Sequence, residues 1–293
     1  MTTRHVLAGL DGSPRSESAA MWAAAQAQRL GAPLRLLHVW PWLSDENLDR
    51  AEPGDLRPAA LDALARVADR IRLAHPDLTV ETAVRPDDPV DGLVAEAREQ
   101  ELLVLGSRGL GGFAGLLVGS VSLAVAARAT VPTVLVREAA APLPVGNAGT
   151  SGEVVVGLDS SEPGEAVLAF AFAEAERRGA TLRAVHGWEP LSAWSYGSMM
   201  PPPMDIPGQE RTEAALLSQH LADHRRRHPD VAIVEDVRLG GGAKALLDAA
   251  AAGAELVVIG RRERRHRLGM LLGPVAHAVL HHSTAPVAVV PHP

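Results

Sequence analysis

Residues 5–13 read His-Val-Leu-Ala-Gly-Leu-Asp-Gly-Ser, and residues 153–161 read Glu-Val-Val-Val-Gly-Leu-Asp-Ser-Ser. Gly9, Asp11 and Ser13 therefore return 148 positions later as Gly157, Asp159 and Ser161. At the same offset Trp22 faces Phe170, Gly31 faces Gly179, and His38 and Trp40 face His186 and Trp188. Further on, Leu102-Leu-Val-Leu-Gly106 is matched by Leu256-Val-Val-Ile-Gly260 at an offset of 154. Val131-Pro-Thr-Val-Leu-Val136 is likewise matched by Ala285-Pro-Val-Ala-Val-Val290. Self-similarity of this period marks a duplicated domain. We expect one domain over residues 1–138, a small polar linker over 139–152, and a second domain over 153–293.

Within each copy the elements alternate. Short apolar runs at 5–10, 34–40, 78–84, 102–106 and 132–136 suit strands buried on both faces. Between them lie helical stretches rich in Ala, Leu, Arg and Glu. The first should open with Ser13 as N-cap and Pro14 at the first helical position, and close at Gly31. The second copy repeats this plan from Ser161 and Pro163 to Gly179. Strand–helix alternation predicts an α/β fold, a parallel sheet covered on both faces. Ligands in such sheets bind beyond the carboxyl ends of the strands, where the strand order reverses.

Composition removes several function classes. The 293 residues carry 28 basic and 35 acidic side chains, a net charge of −7, whereas a protein that coats nucleic acid is normally basic. Aromatics make up 3%, too few for a base-stacking platform. There is no cysteine, hence no disulfide and no thiolate chemistry, which suits the cytoplasm. We expect neither a signal peptide nor a membrane span.

After the fourth strand comes Gly106-Ser-Arg-Gly109-Leu-Gly-Gly-Phe-Ala-Gly-Leu-Leu-Val-Gly119-Ser120-Val-Ser122. Glycines between a strand and a helix leave backbone N–H groups uncovered, and such a run can form a concave nest of donors. The helix after Gly119 adds its positive end, and together these features make a phosphate site. Ser120 and Ser122 could add hydroxyl donors. Asp11, ending strand one, is placed to accept from a ribose hydroxyl or to sit near magnesium.

The spacing Gly106-x2-Gly109-x9-Gly119-Ser120 resembles the motif of the universal stress protein family, as do the opening strand with Gly9-Leu-Asp11-Gly-Ser13 and the closing strand at 131–136. The resemblance covers both halves and is to the tandem form. It implies two doubly wound, adenine-nucleotide alpha-hydrolase-like domains, each with a five-stranded parallel sheet in the order 3-2-1-4-5. It also implies ATP binding, with or without magnesium, homodimerisation through the fifth strand, and stress regulation rather than rapid catalysis. By resemblance, phosphates fall on Gly109, Gly119, Ser120, Val121 and Ser122. Gly106 and the segment Ser107–Gly112, with Arg108, Gly111 and Gly112, surround ribose and phosphates. Gly9 and Asp11 lie at the nucleoside, and the Val39 backbone lies near adenine.

The second copy departs from this pattern. Glu263 replaces the second glycine and Pro274 replaces the serine, removing a hydroxyl and an N–H donor. Gly157, Asp159, Gly260 and Gly273 persist. Arg261, Arg262, Arg264, Arg265 and Arg267 make the loop cationic, so arginine side chains could stand in for backbone donors at a weaker second site. Gly109-x-Gly111-x-x-Ala114 is misplaced for a dinucleotide fingerprint, which belongs after a first strand. His220, His224 and His228 share a helix face, as do His277 and His281, but no third ligand completes a zinc set, so these read as solvated faces. No serine elbow or catalytic base is evident, and we expect no catalytic residue. Two alternatives stay open: a slow ATPase or phosphotransfer enzyme on the same fold, and a nucleotide-free interaction scaffold with an unknown protein partner.

Overall fold

The computed structural model describes residues 4–40, 56–109, 118–137, 152–159, 164–190, 205–263 and 272–293. In the first half, β1 (Val6–Gly9), α1 (Pro14–Leu30), β2 (Leu34–Trp40), α2 (Leu56–Ala74) and β3 (Val80–Pro86) are followed by α3 (Pro89–Ala97), β4 (Leu102–Gly106), α4 (Ser120–Arg128) and β5 (Thr133–Val136). The second half repeats the series with β6 (Glu153–Gly157), α5 (Glu165–Arg178), β7 (Thr181–Trp188), α6 (Ile206–Arg227) and β8 (Ile233–Leu239). It closes with α7 (Gly242–Ala250), β9 (Ala254–Arg262), α8 (Pro274–His282) and β10 (Val287–His292).

Local chemistry sets the helix ends. The Ser13 hydroxyl accepts from the Ser16 N–H, Pro14 follows, and Gly31 stops α1 at φ +60°, a conformation that Cβ-bearing residues resist. Gly179 ends α5 at the same φ, +60°. The start of α5 differs from the expected plan: Gly164 holds the N-cap position without a side-chain cap, while Ser161 and Pro163 lie outside the described residues. On α1, Ala19, Ala20, Ala23, Ala24 and Ala27 are wholly buried, and their small side chains let the helix lie close on the sheet.

All strands within a half run parallel, and β1 hydrogen-bonds to both β2 and β4. Each half has the order 3-2-1-4-5, but the halves do not keep separate sheets. Strand β10 pairs antiparallel with β5 (Val287 opposite Leu135, Ala288 opposite Val134), giving one ten-stranded sheet. The fifth-strand edge, implied as a dimer contact, is thus occupied within the chain. The third strand also differs from expectation: it runs from Val80 to Pro86 and exposes Glu81 and Thr82, because it is the sheet's outer edge. Helices α1, α2, α5 and α6 cover one face of the sheet and α3, α4, α7 and α8 the other, over two apolar cores that each run through both halves.

A buried polar cluster marks the axis between the halves. Gln26 and Glu174, equivalent positions 148 residues apart, meet there, and Gln26 Nε2 donates to both Glu174 oxygens at 2.7 and 2.9 Å. Arg178 Nη2 donates to Gln26 Oε1 at 2.7 Å and to Glu174 Oε2 at 3.0 Å, with its guanidinium 5.5 Å from the centre of the Trp22 ring. A buried carboxylate is tolerable only when paired in this way. Gln26→Glu would set two carboxylates face to face. With Arg177 and Arg178 also paired to Glu174, it should destabilise the fold by about 1–2 kcal/mol in urea unfolding at neutral pH, through the lost buried donor.

Candidate functional site

The site begins where β1 stops. The Leu10 N–H donates to the Leu37 carbonyl at 2.8 Å, and His38 Nδ1 lies 2.7 Å from the Leu10 carbonyl, fastening the turn after β1 to β2. Asp11 Oδ1 accepts from the Ser13 N–H at 3.0 Å, and the Asp11 N–H meets Ser16 Oγ at 3.3 Å. The aspartate backbone and one carboxylate oxygen are therefore fixed by the start of α1. The carboxylate lies against the loop after β4: a Cβ built on Gly109 would stand 2.2 Å from Asp11 Oδ2. Any residue larger than glycine must move that carboxylate.

The two ends of the glycine-rich loop are stitched together. The Gly119 N–H donates to the Ser107 carbonyl at 2.7 Å, and Ser122 Oγ donates to the Gly106 carbonyl at 2.7 Å. Gly119 is the N-cap of α4 and has no side chain with which to cap the N–H groups of the first turn. These pieces border one cavity of about 490 Å³. Its floor is apolar, with Leu37, Val39, Leu93, Leu105 and Val118, and its rim carries Asp11, Arg108 and Ser120.

Of the expected residues, Gly9, Asp11, Val39, Gly106, Arg108, Gly109, Gly119, Ser120, Val121 and Ser122 converge on this cavity. Ser107 sits behind it as a buried latch, its N–H on the Val136 carbonyl. Gly111 and Gly112 lie outside the described residues. The Ser122 hydroxyl donates its proton to Gly106 and so is not the phosphate donor expected of it. Leu93, Leu105 and Val118 were not foreseen. Leu93 and its counterpart Leu246 each pack against the strand-one glycine of their half, Gly9 and Gly157.

The second half holds a similar cavity of about 500 Å³, bordered by Gly157, Asp159, Gly260, Arg261 and Gly273. Its phosphate end is altered. Pro274 opens α8. Arg262 Nη2 lies 3.2 Å from Asp159 Oδ2. Arg261 is buried and its guanidinium donates to the Ala129 carbonyl in the other half. Burial lowers its pKa from the ordinary arginine value, but the group remains a cation. Arg261 therefore bridges the two halves from the edge of the second cavity, and Arg262 is engaged with Asp159. Arg264, Arg265 and Arg267 lie outside the described residues. The His292 ring adds a further wall, lying against Gly260.

The helical histidines are not all solvated. His224 is buried and stacked on Phe172, with Nε2 3.0 Å from Glu165 Oε2, and His228 stacks on the same ring. Hydrogen bonds from Arg227 and then His224 hold the Glu165 carboxyl below its usual range. His277 and His281 stack on each other. Among the described residues no group of three or more His, Cys, Asp or Glu side chains could hold a metal, and no helix is long and apolar enough to cross a membrane.

A family model described as "Universal stress protein family" matches residues 2–137 and 151–291. The chain belongs to the universal stress protein family. A universal stress protein of Mycobacterium tuberculosis is 34% identical, over 97% of this chain and 96% of its own. Another, of Mycolicibacterium smegmatis, is 33% identical over 97% and 96%. The crystal structure of a universal stress protein from Archaeoglobus fulgidus matches the fold with a TM-score of 0.68 at 19% identity, covering 98% of this chain and 96% of that one. In this universal stress protein the Ser122–Gly106 bond should carry stability. Ser122→Ala leaves a buried carbonyl without its donor and should cost about 1–2 kcal/mol in denaturant unfolding. Ser120→Ala, at an exposed position, should leave the midpoint unchanged.

Proposed function

We propose that the first-half cavity binds ATP as a regulatory ligand in a stress response. The observation that carries this reading is a convergence at one mouth. The side-chain-free Gly109, the uncapped amino end of α4 and the Asp11 carboxylate meet there above an apolar floor. Backbone N–H groups at Gly109, Ser120, Val121 and Ser122 take the phosphates, helped by the positive end of the helix, while Gly119, whose own N–H is held by the Ser107 carbonyl, leaves the approach free of a side chain. Asp11 accepts from the ribose, and the adenine rests on the apolar floor near Val39. Arg108, on the rim, adds positive charge, and magnesium can accompany the triphosphate.

The triphosphate site is confined to the first half. In the second, Glu263 adds negative charge where Gly109 stands, Pro274 removes a donor, and Arg262 occupies Asp159. We read the protein as a binding module rather than an enzyme. Hydrolysis needs a base positioned on the attacking water, and Asp11 is the only carboxylate among the described residues lining the first cavity. In the cytoplasm, nucleotide at a hundredfold excess over Kd would stabilise the liganded conformation by about 2.7 kcal/mol. Occupancy would thereby set which surface is presented to a protein partner.

The test is calorimetric titration of the whole chain, with mass spectrometry of whatever small molecule denaturation releases. The expected result is one ATP per chain, recovered unhydrolysed, with Gly109→Glu weakening it about tenfold or more through clash and like charge. Undiminished affinity in Gly109→Glu would overturn the placement of the phosphates. Turnover faster than about one per minute would favour the slow ATPase, whose rates sit below those of ordinary kinases.

A further inference from the structure

The helix that seats the phosphates is finished by the opposite half of the molecule. Helix α4 ends at Ala129, whose carbonyl accepts from Arg261 Nη2. Arg261 lies in β9, at the mouth of the second cavity, and is 8% exposed. The arrangement is reciprocated. Arg137, just past β5, donates from Nη2 to the Leu280 carbonyl at 3.2 Å and to the His281 carbonyl, at the carboxyl end of α8. Each half thus sends a guanidinium to the carboxyl end of the helix whose amino end borders the other half's cavity.

We infer that Arg261 is a positioning residue for phosphate recognition at the first cavity, acting through α4 from the second half. A cation at a helix carboxyl end stabilises the macrodipole, and the effect is largest where the contact is partly buried. At the amino end the stitches from Gly119 to Ser107 and from Ser122 to Gly106 hold α4 to the loop. At the carboxyl end Arg261 joins the ion pair of Arg128 with Asp91 and the buried side chains of Val125 and Ala129, and Glu263 stands 3.9 Å from Arg261. Releasing that end lets the short helix tilt, and the amides at the other end lose their aim. A triphosphate that depends on several of those amides at once loses affinity, whereas the nucleoside, seated on the apolar floor and Asp11, does not. If Arg261 were only an interface brace, both ligands would respond alike.

The inference rests on ATP binding at the first cavity, and the experiment separates the two. The full chain and its Arg261→Met, Arg261→Gln and Arg137→Met variants are titrated with ATP and with adenosine by calorimetry. Arg261→Met should weaken ATP about three- to tenfold and leave adenosine within about twofold. Arg261→Gln, which keeps a donor without the charge, should shift the same ratio in the same direction and serves if the methionine variant does not fold. Arg137→Met, which releases α8 instead, should leave ATP binding at the wild-type level. The inference is overturned if the Arg261 variants bind ATP as wild type, lose both ligands in parallel, or are matched by Arg137→Met. A wild-type chain that binds neither ligand overturns the reading of the cavity itself, and this inference with it.

Discussion

Strand β1 lies between β2 and β4 in a parallel sheet, and the first cavity depends on that placement. The chain leaves β1 for a helix on one face of the sheet and leaves β4 for a helix on the other, so the carboxyl ends of the two strands open a crevice. The register sets Gly9 beside Leu105. Asp11 and Gly109, 98 residues apart in the chain, are therefore brought into contact by strand pairing alone. Everything polar at the mouth is then local: a turn that fixes Asp11, a glycine that yields to it, and two hydrogen bonds that close the loop onto α4.

The antiparallel junction of β5 with β10 turns two such domains into one body. Fusing the halves satisfies the fifth-strand edges and leaves β3 and β8 outermost, where Glu81, Arg85, Glu235, Asp236 and Arg238 line the edges with charge. The approximate twofold relation also brings equivalent side chains face to face. Position 26 and position 174 are such a pair, and two glutamates there would be two buried negative charges. The glutamine at 26 turns the meeting into a donor–acceptor contact, which Arg178 completes.

Much of this was legible because the chain is written twice. The repeat of Gly9, Asp11 and Ser13 as Gly157, Asp159 and Ser161 pointed to two copies of one domain, and the glycine spacing pointed to the polar mouth of the first cavity but not to its apolar floor. What stayed hidden is chemistry that depends on partners. Val131–Val136 has the same apolar pattern whether it is an open edge or a seam, so the junction could not be read. A serine hydroxyl at 122 looks like a phosphate donor until the carbonyl at 106 is found beneath it. His224 carries a polar label beside three arginines, yet it packs on Phe172, because helix phase rather than residue type decides which face is inward.

The two cavities are of similar size, so divergence has spared the architecture and altered one end of one site. Arg261 stands where the first half has Ser107, whose backbone latches the glycine loop. Arg137 has no such counterpart, since the matching position in the second half is Pro291. The reciprocal bridges across the molecule are therefore made from non-equivalent positions of the two halves. At position 261 the second half places a side chain that reaches the carboxyl end of α4 in the other half. A half with Glu263 and Pro274 in place of that glycine and serine can in this way still shape the cavity of the other half.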